Sequence, residues 1–129
     1  MALDIRPFIH PLDAKAMAAM KAVPGFDLVT DAFLKFYDEK LLATPPVAVE
    51  QIGKEVVRMA YLARDNFDRA AIALIKNDTS KTEKIESVEE VINFLNHGIT
   101  RNLVKINALD LDYSDAKYIG RLFHVTNDI

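Results

Sequence analysis

Residues 45–76 read PPVAVEQIGKEVVRMAYLARDNFDRAAIALIK, and this stretch decides the fold. Apolar side chains recur in it at steps of three and four residues, the period of one face of an α-helix. They are Val49, Ile52, Val56, Met59, Ala63, Phe67, Ala70 and Leu74. Thr44 is a good helix cap, and Pro45 and Pro46 suit a first turn whose amides have no helical partner. The stretch therefore predicts one helix from Pro45 to about Lys76.

A second apolar stripe follows at the same spacing. Its members are Ile85, Val88, Ile92, Leu95, Ile99, Leu103 and Ile106. The polar run at residues 77–80 favours a turn, so we expect the two helices to be antiparallel neighbours. Ser114 predicts the cap of a third long helix from about Asp115. That helix is expected to present Ile119, Leu122, Phe123 and Ile129 to the core.

Two shorter helices are predicted at the N-terminus. Asp13 favours the start of one that ends before Val23, and Asp27 favours the start of another. In the second, one face carries Val29, Ala32, Phe33 and Phe36. We therefore predict an all-α fold, an up-down-up three-helix bundle with two shorter N-terminal helices packed on it. Residues 1–43 and 44–129 are expected to form one compact unit.

Two glycines lie inside the predicted long helices, Gly53 and Gly98. Glycine costs about 1 kcal/mol relative to alanine in a helix interior. We therefore expect each of them to mark a close approach between helices.

Composition argues against several classes of protein. Among 129 residues the charges nearly cancel, leaving a formal net charge of -3, which disfavours nucleic acid as a partner. Cysteine is absent, so disulfides and thiolate metal sites are excluded. The first residues lack the basic-then-apolar order of a signal peptide, and no apolar run approaches the roughly 20 residues of a spanning helix. We expect a cytoplasmic protein with no membrane span in this chain.

The residue pattern points to no catalytic centre. No nucleophile has a base at a recognisable spacing, and His10, His97 and His124 do not have the spacing of an HExxH zinc site. Glu83, Glu86, Glu89 and Glu90 suit the positive end of the second long helix, with weak binding of a divalent cation as the alternative. We predict no catalytic, cofactor-binding or metal-ligating residues, no cofactor and no enzymatic activity.

Four basic residues lie on one expected outer face of the first long helix, namely Lys54, Arg58, Arg64 and Arg69. We interpret them as a solvated surface. The alternative is contact with an acidic partner.

Three stretches resemble the PhoU-like cytoplasmic domain of bacterial sodium/phosphate cotransporter proteins. They are DEKLLATPPVAVE at residues 38–50, KEVVRMA at 54–60 and AKYIGRLFHVTNDI at 116–129. The resemblance spans residues 38–129 and implies a three-helix bundle that regulates phosphate uptake through contacts with a transporter. Some PhoU-like domains bind metal clusters through an E-x-x-x-D motif. In the family this motif follows the position of Ile129, so we expect no such site in this truncated version.

The first 42 residues resemble a different family. IRPFIHPLD at residues 5–13 and KAVPGFD at 21–27 are similar to the N-terminal lead-in of HExxH zinc metallopeptidases. The two resemblances meet at residues 37–42, which implies a recombined or engineered chimera, with a natural fusion as the alternative. The competing hypothesis for function is thus a fragment of a metallopeptidase-related protein without its catalytic motif.

The length of the two apolar stripes predicts self-association. A short closing helix cannot cover both stripes, even with Met20, Phe33 and Phe36 packed over them. Large exposed apolar patches are uncommon in monomers, and a two-fold interface is the commonest way to bury one. We expect a homodimer, with exchange of the N-terminal segment about a hinge at residues 42–46 as one route and a further protein partner as a possibility.

Overall fold

Three long helices make up most of residues 31–129, the part of the chain that the computed structural model describes. Helix α1 spans Pro45–Lys76, α2 spans Thr82–Asn107 and α3 spans Tyr113–Asp128. A short 3-10 helix, Glu39–Ala43, leads into α1. Each long helix contacts the other two, and the described residues contain no strand. The predicted all-α, up-down-up bundle is confirmed.

Some predictions concern residues 1–30, which lie outside the described part of the chain. They include the helix that begins at Asp13, the cap at Asp27 and most of the metallopeptidase resemblance. His10 and Met20 lie there as well.

Helix α1 begins and ends at the predicted residues. Pro45 and Pro46 occupy its first turn, where a missing backbone N–H costs no hydrogen bond. Thr44 precedes them, but its side chain makes no capping hydrogen bond, so its expected role as a side-chain cap is wrong. At the other end Asn77 adopts the left-handed conformation, with φ of 50°, and its N–H bonds back to helix carbonyls. This is a common way to end a helix.

One hydrophobic core lies between the three helices. It contains Val49, Ile52, Val56 and Met59 from α1, Val88, Ile92, Leu95, Ile99, Leu103 and Ile106 from α2, and Ile119 and Leu122 from α3. The second predicted stripe is therefore almost wholly buried. Removal of these side chains from water is the main stabilising contribution to the bundle.

The α1 stripe is covered over only part of its length. Helix α3 has 16 residues, so it extends about 24 Å against about 48 Å for α1. It ends beside Ala63 and Phe67. Phe67 is 73% exposed and Leu74 is 83% exposed, in agreement with the prediction that a short closing helix cannot cover both stripes. Ile129, predicted to point inward, is 38% exposed.

Asp112 caps α3, and Ser114 does not. The Asp112 carboxylate accepts the backbone N–H of Asp115 at 2.7 Å, and Asp112 itself has extended backbone angles. The helix therefore begins at Tyr113, two residues earlier than predicted. Aspartate and serine are both frequent caps, so residue type alone does not choose between them.

The segment before α1 departs from the predicted helix. Helical conformation ends at Asp31, and Phe33 and Phe36 lie in irregular chain. Tyr37 is buried in the core, and Leu34, Leu41 and Leu42 pack against it. This segment is therefore part of the packing of the bundle, and exchange about a hinge at residues 42–46 stays a prediction.

Candidate functional site

A groove of about 610 Å³ runs along the outer face of α1. Its apolar lining consists of Phe36, Gly53, Val57, Tyr61, Leu62 and Tyr118, and its polar lining of Glu50, Lys54, Arg58 and Asp65. Because Glu50 and Asp65 are four helical turns apart, the groove extends about 22 Å along the helix. We call it the aromatic groove.

Gly53 forms the floor of the aromatic groove, under the ring of Tyr118. A Cβ atom at residue 53 would lie 2.3 Å from the Tyr118 hydroxyl oxygen and 3.2 Å from Cζ of the same ring. The prediction that Gly53 marks a close helix contact is confirmed. At Gly98 a Cβ atom would meet Cδ2 of Leu34 at 3.9 Å, an ordinary contact, so the same prediction is wrong there.

Aromatic and aliphatic side chains of the groove are unusually exposed. Phe36 is 47% exposed, Val57 53% and Tyr61 54%. Cations lie over two of the rings, with Lys54 Nζ 6.0 Å from the centre of the Phe36 ring and Arg64 Cζ 4.8 Å from that of Tyr61. Contiguous exposed apolar surface of this kind is typical of binding sites.

A buried carboxylate holds Phe36 at the edge of the groove. Glu55 is fully buried, and its Oε1 accepts the backbone N–H of Lys35 at 2.6 Å and that of Phe36. The N–H of Tyr37 lies 3.4 Å from the same oxygen. Three successive amides thus converge on one carboxylate oxygen, as in the backbone nests that bind anions.

Arg58 completes this arrangement one turn further along α1. Its Nη2 lies 2.8 Å from Oε2 of Glu55, and its guanidinium donates to the backbone carbonyls of Asp31 at 2.8 Å and Phe33 at 2.7 Å. Its side chain is only 14% exposed. Each buried charge therefore has a partner of opposite charge and further hydrogen bonds, the condition under which a buried ion pair is tolerated. Glu55 and Arg58, which we call the clamp, fasten residues 31–37 to α1.

The predicted outer basic face is correct in part. Lys54 and Arg64 are exposed, but Arg58 belongs to the clamp, so its assignment as solvated is wrong. Arg69 is partly buried and donates to Oδ1 of Asn66 at 2.7 Å. Asn66 in turn donates to a backbone carbonyl of α2 at 3.1 Å, which ties the two helices together.

Tyr37 lies behind the clamp with its hydroxyl buried. Among the described residues that hydroxyl has no hydrogen-bond partner. Burial raises the pKa of Tyr37, and the negative charges of Glu39 and Asp38 raise it further. The phenol is therefore held in its neutral form, which suits a residue of the core.

The histidines and carboxylates singled out in the sequence are not brought together. His97 and His124 are both exposed, on α2 and α3 respectively. The acidic residues Glu83, Glu86, Glu89 and Glu90 follow the start of α2. Within residues 31–129 no group of three or more histidine, aspartate or glutamate side chains is placed to hold a metal ion. The described residues do not fit the carboxylate metal site that the PhoU resemblance implies for some members.

Neither the groove nor the clamp was predicted from the sequence. A signal for the groove was present, because Val57 and Tyr61 are apolar and four residues apart on a face outside the core stripe. Glu55 and Arg58 have the spacing of an ordinary exposed ion pair on a helix. Their burial depends on residues 31–37, which are about twenty positions away in the chain.

The three packed helices define an all-α bundle domain. The family model of the PhoU domain matches residues 56–129, more than half of the chain, including most of α1 and all of α2 and α3. The chain therefore belongs to the PhoU domain family, whose members are regulatory helical modules of phosphate transport. Searches of curated proteins and of solved structures give no match. Among the described helices, none has both the length and the apolar character needed to cross a bilayer.

Proposed function

We propose that this chain is a non-enzymatic regulatory module that acts in phosphate transport by binding a helix of a partner protein. The observation that carries the proposal is the aromatic groove, on a domain of the PhoU family. Among the described residues, its lining contains no serine, threonine or histidine. The groove therefore suits recognition better than acyl or phosphoryl transfer.

The dimensions and chemistry of the groove favour an amphipathic helix as its occupant. A groove about 22 Å long accommodates four turns of helix, whose apolar residues at i, i+3, i+4 and i+7 would face Val57 and Tyr61. At the rim Arg58 is paired with Glu55 and Asp65 with Arg64, which leaves Glu50 and Lys54 as charges of opposite sign. A partner helix with one acidic and one basic residue beside its apolar face would complement these charges.

We further propose that the chain is cytoplasmic, that it self-associates as a dimer, and that residues 1–43 and 44–129 form one compact unit. The buried position of Tyr37 and the clamp support the last point for residues 31–43. The chimeric origin and the metallopeptidase alternative are predictions that no comparison supports. Elemental analysis for zinc and an assay of peptide hydrolysis test that alternative directly, and stoichiometric zinc would favour it.

Uptake of labelled phosphate tests the proposed function. In host cells from which the gene has been deleted, we expect uptake or its response to external phosphate to change, and the wild-type gene to restore it. Tyr61→Asp and Val57→Asp place a charge in the groove and should not restore it. Val104→Asp is the matched control, since Val104 is 58% exposed on α2 and outside the groove. Unchanged uptake after deletion, or restoration by the groove variants, would contradict the proposal.

A further inference from the structure

The clamp fixes the point at which residues 1–30 join the described bundle. Arg58 Nη1 donates to the backbone carbonyl of Asp31 at 2.8 Å, and Nζ of Lys35 lies 2.7 Å from the Asp31 carboxylate. Arg58 also lines the aromatic groove. Residues 1–30 are therefore attached to the bundle beside the groove.

One stretch of these residues has the composition of a groove ligand. Residues 12–22 read LDAKAMAAMKA and contain the first helix predicted from the sequence. Met17 and Met20 are three residues apart, so both lie on one face of that predicted helix. Asp13 precedes Met17 by four residues and shares the face. The remaining residues are mostly alanine, whose small side chain lets a helix approach another surface closely.

We propose that residues 12–22 of this chain bind in the aromatic groove as an amphipathic helix and compete there with the partner helix. This inference rests on the proposed function, because it concerns the regulation of the same groove. The groove is then available to a partner only when the chain's own segment leaves it.

Methionine suits a groove walled by aromatic rings. Its unbranched side chain adapts to an irregular surface, and its sulfur makes favourable contacts with ring edges. The groove presents three rings, those of Phe36, Tyr61 and Tyr118. Eleven residues in helical form extend about 16 Å, which fits within the length of the groove, about 22 Å.

Charge and spacing favour a parallel register along α1. Asp13 and Met20 are seven residues apart, and so are Lys54 and Tyr61. Paired in this order, the Asp13 carboxylate faces the Lys54 ammonium while Met20 faces the ring of Tyr61. In the antiparallel orientation Asp13 would approach Asp65 instead, and like charges disfavour that contact.

The connection to the bundle is long enough for this register. Residue 22 lies near the level of Ala63, about 8 Å along α1 from Arg58. Residues 23–30 join it to Asp31, and eight extended residues span up to about 26 Å. A tethered occupant has an effective concentration on the order of millimolar, so a free partner at micromolar concentration must compete with it.

Disulfide trapping tests the contact, because the natural chain contains no cysteine. The Met20→Cys, Tyr61→Cys double variant should form an intramolecular disulfide on mild oxidation and keep the mass of one 14.5 kDa chain. Met20→Cys, Val104→Cys is the control, since Val104 is 58% exposed on α2 and outside the groove. Its two thiols should stay reduced.

Maleimide labelling of Val57→Cys measures how far the groove is occupied in the full chain. Addition of Met17→Asp and Met20→Asp should raise the labelling rate about 10-fold, because a charge on the apolar face disfavours burial in the groove. The same two changes should leave the labelling rate of Val104→Cys unaltered.

A labelled synthetic peptide of residues 10–24 provides a second test. It should bind the Met17→Asp, Met20→Asp chain at least about 10-fold more tightly than the wild-type chain, whose groove is already occupied. Equal affinity for the two chains would contradict the proposal.

Three other outcomes would overturn it. Labelling of Val57→Cys that is equally fast with and without the two aspartates shows that the groove is empty, and equally slow labelling shows that something else covers it. A covalent dimer in place of the intramolecular disulfide shows that the segment comes from a second copy. None of these outcomes alters the phosphate-uptake test, which asks whether the groove acts in transport at all.

Discussion

Truncation of Glu55 is the sharpest test of how the site is built. The Glu55→Ala change removes the acceptor for the amides of Lys35 and Phe36 and leaves Arg58 as a charge that is only 14% exposed. Removing one member of a buried ion pair costs about 3–5 kcal/mol, a large share of the 5–15 kcal/mol that stabilises a typical domain. With a urea m-value of about 2 kcal/mol/M, the midpoint of unfolding should fall by roughly 2 M.

Three further variants separate the contribution of the charge from that of the hydrogen bonds. Glu55→Gln keeps one oxygen that can accept the backbone amides, so its free energy of unfolding should fall less, by about 2 kcal/mol. Asp65→Asn is the exposed control, since its pair with Arg64 has side chains 60% and 63% exposed, and it should lose under about 0.5 kcal/mol. The Glu55→Ala, Arg58→Ala double variant should cost less than the sum of the single changes. A loss below about 1 kcal/mol for Glu55→Ala would refute the argument that the clamp fastens residues 31–37.

Three more predictions concern the core and the groove. Leu95 is fully buried, so Leu95→Ala should cost about 2–5 kcal/mol in urea unfolding, and a loss below about 1 kcal/mol would contradict its place in the core. Alanine stabilises a helix interior by roughly 1 kcal/mol relative to glycine, but in Gly53→Ala the displacement of the Tyr118 ring should cancel part of that gain. In a Tyr118→Phe background the cancellation should be smaller. Equal changes in unfolding free energy in both backgrounds would show that the hydroxyl contact is unimportant. The pKa of Tyr37 is raised in the folded protein. The contribution of this phenol to stability is therefore full below the ordinary tyrosine pKa of about 10, and it is lost as the pH rises through the folded pKa. Tyr37→Phe should therefore lose less stability than the wild type between about pH 9 and pH 11, the range in which tyrosine ionises. Parallel profiles of unfolding free energy against pH for the two proteins would contradict this.

Helix α1 shows which features a local sequence pattern can predict. Its limits at Pro45 and Lys76 follow from proline chemistry and apolar period, which act within a few residues of one another. The period alone does not decide burial, because burial depends on what a second element covers. Phe67 and Leu74 continue the same stripe as the buried Met59, yet both are exposed.

The segment before α1 shows the opposite case. Phe33 and Phe36 have helical spacing with Val29, yet their backbone is held in irregular chain by Glu55 and Arg58. The gain comes from satisfying two buried charges, which local propensity does not include. The groove wall formed by Phe36 therefore could not be found from the spacing of apolar residues.

The sequence by itself determined the helical class, the limits of α1 and the antiparallel pairing of α1 with α2, because these depend on short-range period and turn chemistry. The relation to PhoU domains came from stretches that resemble the family. Only the tertiary structure decided which faces meet solvent. The aromatic groove joins Phe36, Gly53 and Tyr118 from three separate parts of the chain. Contacts between distant residues are properties of packing, and no local pattern contains them.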